Sequence, residues 1–274
     1  MTQQCYFVEE ENAKEESIDN YSYLFYEYIK NPPTLKEALH QLFISGGVPK
    51  NELNNYIEDI WNKVNHNFNQ REKVIKEKYP SITIDDALII TLYTCEALDE
   101  KYNPYSILNS NLVKDDRKQG IQNVSKYFYI LLMALRRLPK YYPENFLYRC
   151  IKKKVDLSDP FNKKYVPYKI GNEKTFWAFT STSPNPKCSY QFLEKNTSIG
   201  YKEYKCGTMF SLSGNIWRYD ITVLSFYCKI EEEILLEPER KYIIKEVWPE
   251  LNDIISIRGE FKDTPIVLED IKKK

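Results

Sequence analysis

The chain has 274 residues, 42% apolar and 28% charged, an ordinary globular balance with room for roughly two domains or one large domain with an extension. Lys plus Arg and Asp plus Glu both number 39, so the formal net charge is zero, which disfavours a strongly basic nucleic-acid binder and an acidic tail protein alike. Only two histidines occur, His40 and His66, so H-E-x-x-H and zinc-finger sites are absent and Ser-His-Asp chemistry centred on the second half of the chain is not easily built, and the eight glycines form neither of the usual phosphate-cradling loops.

Residues 1–18 are polar and acidic and read as a flexible tail without an apolar leader. A helical extension follows over 19–80. Thr34 caps a short helix over 35–43 that ends before Gly46-Gly47. Leu53, Ile57, Ile60, Val64, Phe68 and Ile75 then form one stripe, which predicts a single long helix ending before Pro80. Thr83, with Asp86 three residues on, opens another helix whose buried face is Ile84, Ala87, Leu88, Thr91, Leu92 and Cys95. A short helical turn covers 105–112. The clearest helix carries Ile121, Val124, Phe128, Leu131, Leu135 and Leu138 and stops at Pro139; its other positions are also apolar, so more than one side is buried.

From Asn145 onward, short apolar runs alternate with turn residues. Strands are expected over 146–151, 175–180, 208–212, 221–224, 233–236, 241–247, 254–258 and 266–268, with one helix over 187–194. Helices first and strands second argue for an α+β fold.

Three features carry chemistry. Arg149 lies inside an otherwise apolar strand, where a guanidinium needs an anion; a structural ion pair and a phosphate clamp both meet that need. Ser181-Thr182-Ser183 ends an aromatic strand with a hydroxyl cluster, suited to capping a helix or to orienting a ligand or carboxylate. Glu231-Glu232-Glu233 leads directly into Ile234-Leu235-Leu236. Strand alternation would put Glu231 and Glu233 on one face, about 6.5–7 Å apart, close enough to divide two tasks. The six cysteines, at positions 5, 95, 150, 188, 206 and 228, are spaced too widely for a metal site and are expected to be free thiols; no metal is expected.

The ordered set Arg149, Ser181-Thr182-Ser183 and Glu231-x-Glu233 resembles the R-S-E signature of cholera-toxin-like mono-ADP-ribosyltransferases. Leu92-Tyr93-Thr94, Leu108-Asn109, Ala134-Leu135-Arg136-Arg137-Leu138-Pro139, Gly207-Thr208 with Phe210, and Asp220-Ile221 with Ser225 resemble the vertebrate-type, arginine-specific branch. Cys150 stands where the family carries glycine, and Val113 where it carries arginine.

The resemblance implies a catalytic domain over 81–274, with the helical N-terminal region packed on a split mixed and antiparallel β-sheet core. It implies transfer of ADP-ribose from NAD, the co-substrate, to an exposed arginine of a protein acceptor, with release of nicotinamide. Glu233 would stabilise the oxocarbenium-like ribose, Ser181 would orient Glu233, and Arg149 would hold the diphosphate or adjoining ribose. Cys150, Thr182, Ser183 and Phe192 would complete the NAD site. Glu231 would take the proton of the attacking guanidine, and Ser225, Phe226 and Tyr227 would meet the acceptor. Hydrolysis of NAD by the same residues, or a non-enzymatic NAD-binding interaction module, are the competing readings. No nucleic acid and no membrane span are expected. The expected location is the cytoplasm, or a host cell reached by a leaderless route.

Overall fold

The computed structural model describes residues 22–96, 100–141, 146–152, 154–155, 168–191, 193, 207–214, 216, 218–226, 232–251 and 254–262. They fall into two compact units. A sheet unit takes in Tyr141–Asp220 and Ile230–Thr264, and a helical unit takes in the helices up to Lys140 together with Ile221–Lys229.

The helical unit contains α1 (Ser22–Lys30), α2 (Leu35–Ser45), α3 (Leu53–Asn69), α4 (Glu72–Lys78), α5 (Ile84–Tyr93), α6 (Pro104–Leu112) and α7 (Arg117–Arg136). Helices on both sides of residue 80 thus share one unit. Thr34 caps α2 through a full capping box with Glu37, and Thr83 caps α5 by accepting from Asp86 N–H. α7 packs against α2, α5 and α6, and it is buried on several sides, as its all-round apolar pattern requires. Its approach to α6 depends on Gly120, where a Cβ would lie 2.0 Å from the Asn111 carbonyl oxygen.

Two helical expectations change. The single stripe from Leu53 to Ile75 is two helices, because the chain turns at Arg71 (φ −123°, ψ 1°). The Arg71 Nε–H donates to the Asn67 carbonyl at 3.2 Å, the acceptor that a continuing helix would use for the Arg71 amide. On α5, Ile84 is exposed, whereas every residue from Asp86 to Tyr93 is buried, so the buried surface encircles the helix rather than forming one face.

The sheet unit holds β1 (Leu147–Ile151), β2 (Glu173–Phe176), β3 (Thr180–Thr182), α8 (Pro186–Gln191), β4 (Gly207–Ser213), β5 (Arg218–Asp220), β6 (Ile234–Leu236), β7 (Arg240–Leu251) and β8 (Ile254–Phe261). They form a five-stranded sheet ordered β1-β4-β8-β7-β2 and a three-stranded sheet ordered β3-β6-β5. β4 and β8 run parallel and the other neighbours antiparallel, so the core is a split sheet, mixed in one part and antiparallel in the other. Phe176, Phe210, Leu212, Tyr242, Ile244, Ile257 and Phe261 fill its core, with the Phe176 and Tyr242 rings stacked at 4.7 Å.

The expected strand 175–180 is two strands. Phe176 pairs with Arg240 in the larger sheet, while Thr180 pairs with Leu236 in the smaller one. The chain changes sheets between them, and again between Leu236 and Arg240, where Glu239 takes φ +63°. The expected strand 221–224 is a turn in which Leu224 and Ser225 amides both donate to the Ile221 carbonyl; the strand lies just before it, at Arg218–Asp220. The expected strand 266–268 lies outside the described residues.

Candidate active site

β1 carries Leu147, Arg149 and Ile151 on one face, and the outer two belong to the apolar core. Arg149 Nη1 reaches out of that stripe and donates to the Ser181 carbonyl on β3 at 2.8 Å. A backbone bridge reinforces the link between β1 and β3. Tyr148 and Ser183 exchange both amide hydrogen bonds, at 2.8 and 2.9 Å.

β3 and β6 place Ser181 opposite Leu235 and Thr182 opposite Ile234. Glu233 is therefore diagonal to Ser181 and on the same face. Ser181 Oγ donates to Glu233 Oε1 at 2.6 Å, a short charge-assisted bond, and Glu233 is buried. Arg149, Ser181 and Glu233, which are 32 and 52 residues apart in sequence, thus form one connected chain of hydrogen bonds.

The neighbouring hydroxyls have structural partners. Thr182 Oγ1 donates to the Ile234 carbonyl at 2.8 Å, and Ser183 Oγ accepts the Asn185 amide at 3.1 Å. Cys150 is buried on the opposite face of β1 from Arg149. Burial pushes the Tyr190 hydroxyl of α8 upward, and the Cys150 thiol adds to that shift. Cys95, Cys150 and Cys188 are free thiols.

Glu231, Phe192 and Tyr227 lie outside the described residues. Glu232 takes φ +45° and β6 begins only at Ile234, so the strand does not reach back through Glu232. Ser225 is buried and Phe226 half-buried, with Lys63 Nζ 5.2 Å from the Phe226 ring centre, so neither is a freely exposed anchor.

Asn185 was not among the expected site residues. Its side-chain amide donates to Glu232 Oε1 at 3.2 Å, and its Oδ1 accepts the Lys187 amide at the start of α8. The run Ser183-Pro184-Asn185-Pro186, an Asn before a first-turn proline, is a legible helix-start signal. Behind the site, buried Glu237 accepts from Tyr219 Oη at 2.6 Å and from Arg240 Nη2 at 2.5 Å, which ties β5 to the junction of β6 and β7.

Among the described residues, no cluster of His, Cys, Asp or Glu could hold a metal ion, and no helix is long and apolar enough to cross a membrane.

No protein-family model matches the chain, and no curated protein does. Solved structures do. The chain is similar to ADP-ribosyltransferase Vis in complex with an inhibitor, at 23% identity over 77% of this chain and 87% of that one, with a TM-score of 0.50. A second structure, of the Vis toxin from Vibrio splendidus, gives 21% identity over 77% and 88%, again at 0.50. The type III effector XopAI from Xanthomonas axonopodis pv. citri gives 12% identity over 91% and 95%, at 0.54. The chain has the fold of these bacterial proteins, that of an ADP-ribosyltransferase.

Proposed function

We propose that the chain is a mono-ADP-ribosyltransferase of the R-S-E type that moves ADP-ribose from NAD to an arginine of a protein acceptor. The observation that carries this reading is the connected set Arg149, Ser181 and Glu233, with Ser181 Oγ 2.6 Å from Glu233 Oε1, inside a fold of this kind.

The chemistry suits those groups. Nicotinamide leaves NAD as a neutral molecule when its bond to the ribose C1′ breaks, so no general acid is needed. Positive charge then develops on the ribose, as in glycoside hydrolysis. Glu233, buried and held in one orientation by Ser181, faces that charge with a fixed carboxylate. Arg149 holds the diphosphate or the adjoining ribose as a cation. The backbone of Cys150, together with Thr182, Ser183 and Phe192, completes the NAD site. A guanidine nitrogen of the acceptor forms the new bond to C1′. It is protonated at neutral pH, so it gives up a proton as it attacks, and Glu231 accepts that proton.

The 225–227 segment meets the acceptor, with Ser225 buried beneath it and Phe226 offering its exposed part, and residues 81–274 constitute the catalytic part. The likeness to a type III effector supports delivery into a host cell.

The test is transfer of label from NAD to agmatine, an arginine mimic, by wild type and by Glu231→Gln. Labelled agmatine from wild type, with Glu231→Gln retaining NAD cleavage but losing label, supports the reading. Release of free ADP-ribose by wild type, with neither agmatine nor protein labelled, replaces it with NAD hydrolysis.

A further inference from the structure

The turn Ile221–Ser225 and Phe226 precede Glu232-Glu233 in sequence, yet they belong to the helical unit. Their four consecutive carbonyls, from Val223 to Phe226, are each met by a side chain of that unit. Arg71 Nη1 donates to Val223 O at 3.1 Å and to Ser225 O at 2.5 Å. Thr91 Oγ1 donates to Leu224 O at 2.8 Å, and Asn67 Nδ2 to Phe226 O at 3.3 Å. Thr94 Oγ1 accepts the Phe226 amide at 2.7 Å. Arg71 is itself held from behind, because its Nε donates to Asn67 O and its Nη2 to Asn67 Oδ1.

Water would satisfy the carbonyls of a loop that needed only to connect two strands. Here a guanidinium, one hydroxyl and a side-chain amide fix them instead, a second hydroxyl takes the Phe226 amide, and the α3–α4 helix is interrupted where that guanidinium is presented. Such a network lowers the ordering cost of the segment before anything binds to it.

We propose that Arg71 is a positioning residue for acceptor recognition. By holding the carbonyls of Val223 and Ser225 it pre-organises the 223–226 segment, so the N-terminal helices set how well an acceptor is bound. This deepens the reading above and rests on its assignment of 225–227 to the acceptor. Arg71 acts on acceptor binding and not on cleavage of the bond to nicotinamide.

The experiment uses full-length wild type, Arg71→Ala, Arg71→Lys and Thr94→Val. It measures amide hydrogen exchange at Leu224–Phe226, NAD hydrolysis without acceptor, and KM and kcat for agmatine. For Arg71→Ala the expected results are faster exchange at Phe226, hydrolysis within about twofold of wild type, and an agmatine KM raised roughly tenfold, as the loss of the charge-assisted contacts to Val223 and Ser225 implies. Arg71→Lys recovers part of the KM effect, and Thr94→Val reproduces it at smaller size. Unchanged exchange and unchanged KM, or hydrolysis and transfer falling together, overturn the proposal. A wild type that neither cleaves NAD nor labels agmatine overturns the reading beneath it, and the proposal with it.

Discussion

Ser181 Oγ donates to Glu233 Oε1 at 2.6 Å across the diagonal of the antiparallel pair formed by β3 and β6. Glu233 is buried, so losing this donor leaves its carboxylate both less stabilised and free to rotate. Ser181→Ala is expected to lower kcat for nicotinamide release by roughly 10- to 100-fold while changing KM for NAD less. Ser181→Thr, which keeps the hydroxyl, should retain most of the activity. Steady-state kinetics on both variants decide it. A loss confined to KM would assign Ser181 to NAD binding instead.

Behind that pair, Glu237 joins Tyr219 and Arg240 in a fully buried network. Glu237→Gln weakens the compensation of a buried guanidinium and should destabilise the fold by about 3 kcal/mol. Tyr219→Phe removes one neutral donor and should cost about 1 kcal/mol. Urea unfolding of the two variants would show the ordering. Equal effects would mean that the charge on Glu237 is not the stabilising element.

Glu239 predicts a pH dependence. Burial pushes its carboxyl up to about 8, with Lys241 and Arg240 pulling the other way, against 4.5 for an ordinary glutamate. Between those values the folded chain holds a proton that the unfolded chain has released. The contribution is therefore complete below about 4.5 and disappears as pH rises through about 8. Wild type should lose on the order of 1–3 kcal/mol between about pH 5 and about pH 9 relative to Glu239→Gln. Parallel stability curves for the two proteins would contradict this.

Cys95 should be inert in the native protein. It is buried at the end of α5, and burial pushes its thiol up to about 11. A pulse of iodoacetamide at mildly alkaline pH should leave Cys95 unmodified until denaturant is added, as peptide mapping would report. Native-state labelling would mean that the end of α5 opens readily.

Local patterns made much of the fold readable. Thr34 and Thr83 start helices because a hydroxyl before an apolar stripe satisfies a free amide, and the structure shows both caps. Arg149 stood out in the sequence as a charge within an apolar strand, and in the fold it reaches across to β3. The unreadable parts are those set by distant partners. Nothing local marks Arg71 as a helix break, because its cause is the carbonyl row at 223–225. The 221–224 run has strand composition, yet Arg71 and the α5 residue Thr91 hold the carbonyls of Val223 and Leu224. The same holds for Glu232, whose left-handed φ ends the strand alternation one residue before Glu233. Asn185, which contacts it, reads in sequence as a helix cap only.

The most direct measurement is nicotinamide release from NAD by wild type and Glu233→Gln at saturating agmatine. Glutamine keeps the size and the hydrogen-bonding capacity of the side chain but removes the charge that would face the ribose. The account predicts release by wild type and a fall of roughly a thousandfold in kcat for the variant, with NAD binding largely kept. Undiminished release by Glu233→Gln would contradict the assignment of this carboxylate, and no release by wild type would contradict the proposed function.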